Sequence, residues 1–143
     1  MLKNRSAPHA RVTPVLIVAD VRAAVAWYGK AFGSIEHVKI GEGHRAQLGF
    51  PGGGEFIVAE VRPGRDVPSG LHSHQIMLKV EDLNAVRAAA QAAGATVSDA
   101  NDWEYGERQC TVDDPFGHQW VLTQTLKDTH PKDWGGELIN PRG

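Results

Sequence analysis

Several kinds of protein are excluded by what this sequence does not contain. Cysteine occurs once, at Cys110, so the chain closes no internal disulfide and offers no cysteine-based zinc site. No apolar run approaches the roughly 18 residues that a membrane helix needs, so no membrane partner is expected. Basic residues form no stripe and the net charge is −2, which argues against nucleic acid as a partner. The first residues, Met1-Leu2-Lys3-Asn4-Arg5-Ser6, lack the apolar core of a secretory signal, and the expected location is the cytoplasm. With 41% apolar and 22% charged residues, the composition is that of an ordinary globular protein. A length of 143 residues suits one domain or two half-size modules sharing a core.

What is present is a pattern that occurs twice. Residues 1–10 are polar and aperiodic and read as a loose arm. Val12 to Ala19 carries a buried-strand signal, with Pro14 marking an edge or a strand start. Asp20 is placed to cap a helix in which Val21, Ala24, Val25, Tyr28 and Phe32 make one apolar stripe, ended by Gly33. Strands are expected at Glu36–Ile40, His44–Phe50 and Glu55–Val61. Residues 62–72 form a Pro/Gly-rich linker. The pattern then restarts with a strand at Ser73–Val80. A helix capped by Asp82 follows, with Leu83, Val86, Ala89, Ala90 and Ala93 as its stripe and Gly94 as its end. Ala95–Ser98 is a short strand and Asn101–Gly106 a loop. Arg108–Val112 and His118–Thr123 form a closing hairpin around Asp113-Asp114-Pro115-Phe116-Gly117, whose Asp, Pro and Gly are turn residues. The tail, 126–143, is expected to lie on the surface with Trp134 as an anchor.

Matching landmarks lie a little over sixty residues apart: Val18-Ala19-Asp20-Val21 with Val80-Glu81-Asp82-Leu83, Gly33 with Gly94, Arg45 with Arg108, and Pro51 with Pro115. Each half therefore reads as βαβββ, in modules 11–61 and 73–125. A half of about 50 residues buries too little surface to stand alone. The fold class expected is α+β, with two βαβββ modules forming a curved eight-stranded mixed sheet, helices outside and a cavity inside. A ferredoxin-like sandwich would accommodate two helices but not eight strands.

With its repeat and the closing Asp114-Pro115-Phe116-Gly117 turn, the chain resembles the vicinal oxygen chelate superfamily, the glyoxalase/bleomycin resistance protein/dioxygenase group. The resemblance runs from about residue 12 to 125. It implies paired modules, often in homodimers, and a chemistry that ranges from metal lyases and oxygenases to binding proteins, so function has to be read from the site. It also implies metal-ligand positions on the first and last strand of each module. Carried over, these are Thr13, Ile57 or Val58, Gln75 and Val121. Valine and isoleucine have no lone pairs and threonine is a poor ligand, so only Gln75 offers a usable donor. The expectation is no metal cofactor. The alternative is a divalent metal in a displaced site drawn from His44, Glu60, His72 and His74, in which case the protein is a lyase, isomerase or dioxygenase.

Strand alternation places Thr13, Val15, Ile17, Gln75, Met77, Lys79, Gln119, Val121 and Thr123 along a cavity that is apolar with a few polar points. Trp103 and Tyr105 precede the closing hairpin, where they either stack on a planar ligand or pack on the rim. Arg108 either holds a ligand anion or pairs with Glu107, Glu104 or Asp113. Tyr28 reads as core, Trp27 as available to a partner, Cys110 as a small buried hydrophobe, and His118 as a polar strand residue. The functional expectation is a homodimeric, metal-free binder of a small aromatic or amphipathic molecule. Its ligand contacts are Thr13, Val15, Gln75, Met77, Trp103, Tyr105, Arg108 and Val121, with catalysis an open alternative.

Overall fold

A computed structural model of the chain describes residues 2–5 and 10–142. Of the arm expected at 1–10, residues 1 and 6–9 lie outside the described residues, as does 143 at the other end. The first module runs β1 (Val15–Val18), α1 (Val21–Phe32), β2 (Ile35–Ile40), β3 (Arg45–Gly49) and β4 (Glu55–Glu60). The second runs β5 (Ile76–Lys79), α2 (Leu83–Ala92), β6 (Thr96–Val97), β7 (Asn101–Asp102), β8 (Glu107–Asp113) and β9 (Gln119–Thr125), followed by a 3-10 turn at Pro131–Trp134. The strands make two separate mixed sheets, ordered β1-β4-β3-β2 and β5-β9-β8-β6, with β7 also on β8. The expected eight strands are thus nine in two sheets. The addition is β7: Asn101 and Asp102 pair with Gln109 and Arg108 in a stretch read as loop.

The two halves are built by the same local rules. Asp20 and Asp82 each accept a bond from the backbone N–H three residues on, Ala23 and Ala85, and so start α1 and α2. α1 ends on Gly33 in the left-handed region, as its sequence demands. α2 is capped by Ala93, and Gly94 carries the positive φ one residue later. In each module the first strand runs parallel to the last: Val15 faces Ile57 and Met77 faces Val121. β1 is shorter than its apolar run because Pro14 has no N–H to donate, although its carbonyl still accepts from the Ile57 N–H. Ala89, assigned to the buried stripe of α2, is exposed. Among the described residues no helix is long and apolar enough to cross a membrane.

The helix-facing sides of both sheets share one core. Leu16, Val18, Leu48, Phe56 and Val58 of the first sheet meet Val112, Trp120 and Leu122 of the second around α1 and α2. Trp120 packs against Tyr28, Phe32 and Phe56 with ring centroids 5.0–5.5 Å apart. Trp27, read as a surface residue, is also inside. It is 9% exposed, and its indole N–H donates to the Ala93 carbonyl at 2.8 Å, joining α1 to the end of α2. An indole that reaches a carbonyl loses nothing by burial, so its place just off the stripe did not keep it at the surface. Cys110 is buried, as expected, and burial pushes its thiol pKa up.

The strongest cross-module contact is Asp114. Its carboxylate is buried and accepts four bonds: from the backbone N–H groups of Phe116 (2.9 Å) and His118 (3.0 Å), the Trp120 indole (2.9 Å) and the Tyr28 hydroxyl (2.5 Å). Burial first, and the neighbouring Asp114 charge second, raise the Tyr28 pKa far above its ordinary value, so the phenol stays a donor. His118, buried beside it, donates from Nε2 to the Ile17 carbonyl at 2.8 Å. Its role is to bond one module to the other. Asp114→Ala leaves four donors without an acceptor, and we expect it to lower unfolding free energy by about 3–4 kcal/mol in urea titrations, against about 1–2 kcal/mol for Tyr28→Phe.

Candidate functional site

The faces of the sheets turned away from the helices are open. On the first, Val15 (45% exposed), Ile35 (47%) and Ile40 (40%) stand free, whereas Ile57 on the inner strand β4 is 5% exposed. On the second, Met77 is 62% exposed. Around Met77 and Val121 the polar residues of this face bond to one another. Gln75 donates to Gln119 (2.7 Å), and Gln119 donates to Asp113 (2.9 Å). The His72 ring lies 3.8 Å from the same Asp113 oxygen. Nearer the other end, the Tyr105 hydroxyl donates to Gln109 (2.9 Å), Gln109 to Thr123 (3.1 Å) and Thr123 to Glu107 (2.9 Å).

Trp103 and Tyr105 sit beside that second chain with parallel rings, 6.1 Å between centroids and 3° between planes, and Trp134 meets Tyr105 edge-on at 5.6 Å. Trp134 is thereby an anchor of the tail, and its indole donates to Thr129. Gly106 permits this arrangement. Its φ is +85°, and a Cβ there would collide with the Lys127 carbonyl, so a side chain at that position would push the tail away. Arg108 is not brought to this face. Alternation puts it with Cys110 and Val112 on the helix side, where it makes a two-pronged pair with Asp102 at 2.7 and 3.2 Å. The pair holds the Asp102 carboxyl below its ordinary range, so the partner is Asp102 rather than Glu107, Glu104 or Asp113.

The positions implied for a metal do not supply one. β1 and β4 put Val15 and Ile57 on the first sheet, with Thr13 two residues before β1, and the register Val15 to Ile57 assigns the β4 position to Ile57, since Val58 points into the core. Val121 belongs to the second sheet, and Gln75 immediately precedes β5. The donor set is thus one amide oxygen and one hydroxyl, with no carboxylate or imidazole among them. The displaced set is divided as well. His44 Nδ1 lies 2.8 Å from Glu60, which Arg62 also contacts at 3.2 Å, and these partners hold the Glu60 carboxyl below its ordinary range. His72 is across the molecule on Asp113, and His74 is exposed. Among the described residues no three His, Cys, Asp or Glu side chains are grouped so as to hold a metal ion.

A cleft of about 600 Å³ lies where the β3–β4 turn and the start of β1 approach the edge of β5. Its walls include Pro14, Phe50, Phe56, Met77, Leu78 and Trp120, and its titratable residues are Glu55, Lys79 and Glu81. Of the contacts named from the sequence, Met77 lines it. Thr13, Val15, Gln75 and Val121 lie on the open faces, and Trp103 and Tyr105 at the far end of the second face. Gly52, Gly53 and Gly54 have φ of +90°, +117° and +96°, which makes a side-chain-free wall that only glycine adopts readily. Phe50, Phe56 and Glu55 were passed over in the sequence. A signal was there for Glu55, which is two residues before Ile57 on one strand and so on the same face.

A family model described as the Glyoxalase/Bleomycin resistance protein/Dioxygenase superfamily matches residues 8–122. An uncharacterised protein of Mycobacterium bovis is 32% identical over 130 residues, covering 83% of this chain and 86% of its own length. Among solved structures, TioX from Micromonospora sp. ML1 is 26% identical with a TM-score of 0.64, over 85% of this chain and 100% of that one. A gene product of Arabidopsis thaliana is 29% identical with a TM-score of 0.66, over 79% and 97% respectively. Because the donor set is one amide and one hydroxyl, dialysed protein titrated with nickel, zinc and manganese is expected to take up only substoichiometric metal. Val121→Glu will not change that, because Thr13 and Ile57 remain. Stoichiometric metal that is lost on Gln75→Ala would show the reading to be wrong.

Proposed function

This chain belongs to the Glyoxalase/Bleomycin resistance protein/Dioxygenase superfamily, and on that premise we propose that it is a binding protein. Its ligand is a small aromatic or amphipathic molecule, sequestered without a metal. The observation that carries the reading is the cleft. At about 600 Å³ it falls in the size range of small-molecule sites, and its walls are mostly apolar and aromatic with few polar groups. Each side chain that a ligand newly covers contributes on the order of 1–2 kcal/mol. The competing reading, a lyase or dioxygenase with a displaced metal, loses support because His44, Glu60, His72 and His74 form no metal-holding group among the described residues. Trp120 in the wall supplies the readout, since an aromatic ligand quenches its fluorescence. The expected result is saturable quenching by acridine-type compounds. Met77→Ser, at an exposed position that leaves the core intact, weakens binding about fivefold, or about 1 kcal/mol. Unsaturable quenching, or a Met77→Ser protein that binds as well as the parent, argues against the cleft.

The reading includes a homodimer. Val15, Ile35 and Ile40 on the open face of the first sheet give apolar surface that a second copy would cover. The expected sedimentation coefficient at tens of micromolar is that of a dimer. Ile35→Lys with Ile40→Lys shifts it towards the 15.5 kDa chain. A parent protein that sediments as that chain alone excludes the dimer.

A further inference from the structure

We propose that Glu55 is the polar anchor of the cleft, and that the ligand it selects carries a protonated amine, or an equivalent cationic N–H donor, on its aromatic or amphipathic body. This rests on the cleft being a binding site and adds the chemical class of what binds. Glu55 opens β4 opposite Gly49, next to the glycine wall, and lines the cleft. Its Oε2 is buried and has no hydrogen-bond partner among the described residues. A carboxylate oxygen withdrawn from water without a donor is unfavourable, and such groups in folded proteins call for an explanation.

The surroundings explain why no side chain of the protein answers it. Gly49 has no side chain, and the His37 ring fills the space above it: a Cβ on Gly49 would lie 2.8 Å from His37 Nε2. Neither that ring nor Lys79, which also lines the cleft, gives a hydrogen bond to Glu55 Oε2. Gly52, Gly53 and Gly54 put only backbone beside the carboxylate. The terminal torsion of glutamate is soft, so a small rotation brings an oxygen to the cleft surface. There it meets a donor whose apolar body lies on Pro14, Phe50 and Met77. The charge of the lining favours a cation, with two carboxylates, Glu55 and Glu81, against one ammonium, Lys79. A charge-assisted bond made out of water is worth more than one at the surface, so the anchor sets selectivity as well as affinity.

The test uses three probes of one ring system at fixed ionic strength: cationic 9-aminoacridine, neutral acridine and anionic acridine-9-carboxylate, each titrated against tryptophan fluorescence. The parent protein is expected to bind 9-aminoacridine at least about tenfold more tightly than acridine, and the carboxylate least. Glu55→Gln removes the preference for the cation, whereas Glu81→Gln keeps most of it. Glu55→Gln also melts at or above the parent temperature, since it removes an unanswered charge. A preference that survives Glu55→Gln, or equal binding of all three probes, overturns the anchor while the cleft reading stands. A lowered melting temperature for Glu55→Gln marks the carboxylate as structural and likewise overturns it. Failure of all three probes to bind overturns both.

Discussion

The fold depends on a carboxylate that has to be satisfied inside it. Asp114 would be costly to bury alone, and it is buried with four donors around it, two from its own turn and two from aromatic side chains. The two local donors make the Asp-Pro-x-Gly turn rigid. Trp120 lies on the strand that follows, and Tyr28 belongs to the helix of the other module. One residue therefore fixes the closing hairpin, orients the largest side chain of the core and holds the modules together. His118 on the Ile17 carbonyl and Trp27 on the Ala93 carbonyl extend the same joint on either side.

Joining the modules through their helix-facing sides has consequences for where a ligand is held. The core takes Leu16, Val58, Trp120 and Leu122, and it leaves the other face of each sheet without a layer above it. On the second sheet the polar side chains compensate by bonding to each other, Gln75 through Asp113 and Tyr105 through Glu107. Their donors and acceptors are largely taken up, which makes that face a smooth platform and a poor cage for a metal ion. Of the four buried polar side-chain atoms without a hydrogen-bond partner among the described residues, on Arg22, Ser34, Glu55 and His118, the one on Glu55 belongs to a residue that lines the cleft.

Much of this was legible in the order of residue types. Periodicity and caps located both helices, because Asp20 and Asp82 act through backbone groups only three residues away. Strand alternation separated Trp120 and Leu122 from Gln119 and Val121, because successive side chains must point to opposite faces. The repeat announced two halves that each begin with a strand and a helix and end in a hairpin. Less legible were elements too short to carry a pattern, such as β7, and side chains whose surroundings come from distant segments. Arg108 had three acidic neighbours in sequence, and its partner is Asp102 because β7 pairs with β8 in that register. Trp27 looked like a surface residue because its acceptor, the Ala93 carbonyl, is sixty-six positions away.

The sequence by itself determined the two helices, the longer strands, their order and the two-fold repetition, since each of these follows from backbone preferences and from apolar spacing over a few residues. Tertiary structure alone decided which polar groups meet. Asp114 could be read only as a turn former until Tyr28 was brought over it, and Glu55 only as the first residue of a strand until the glycines on both sides left its carboxylate without a donor. Burial and hydrogen bonding are properties of a place, and that place can be assembled from segments far apart in the chain, 86 residues for Tyr28 and Asp114. The cleft exists for the same reason. No stretch of sequence encodes a gap between two sheets; it arises where the packing of Trp120 against Tyr28, Phe32 and Phe56 sets how closely the edges of the modules approach.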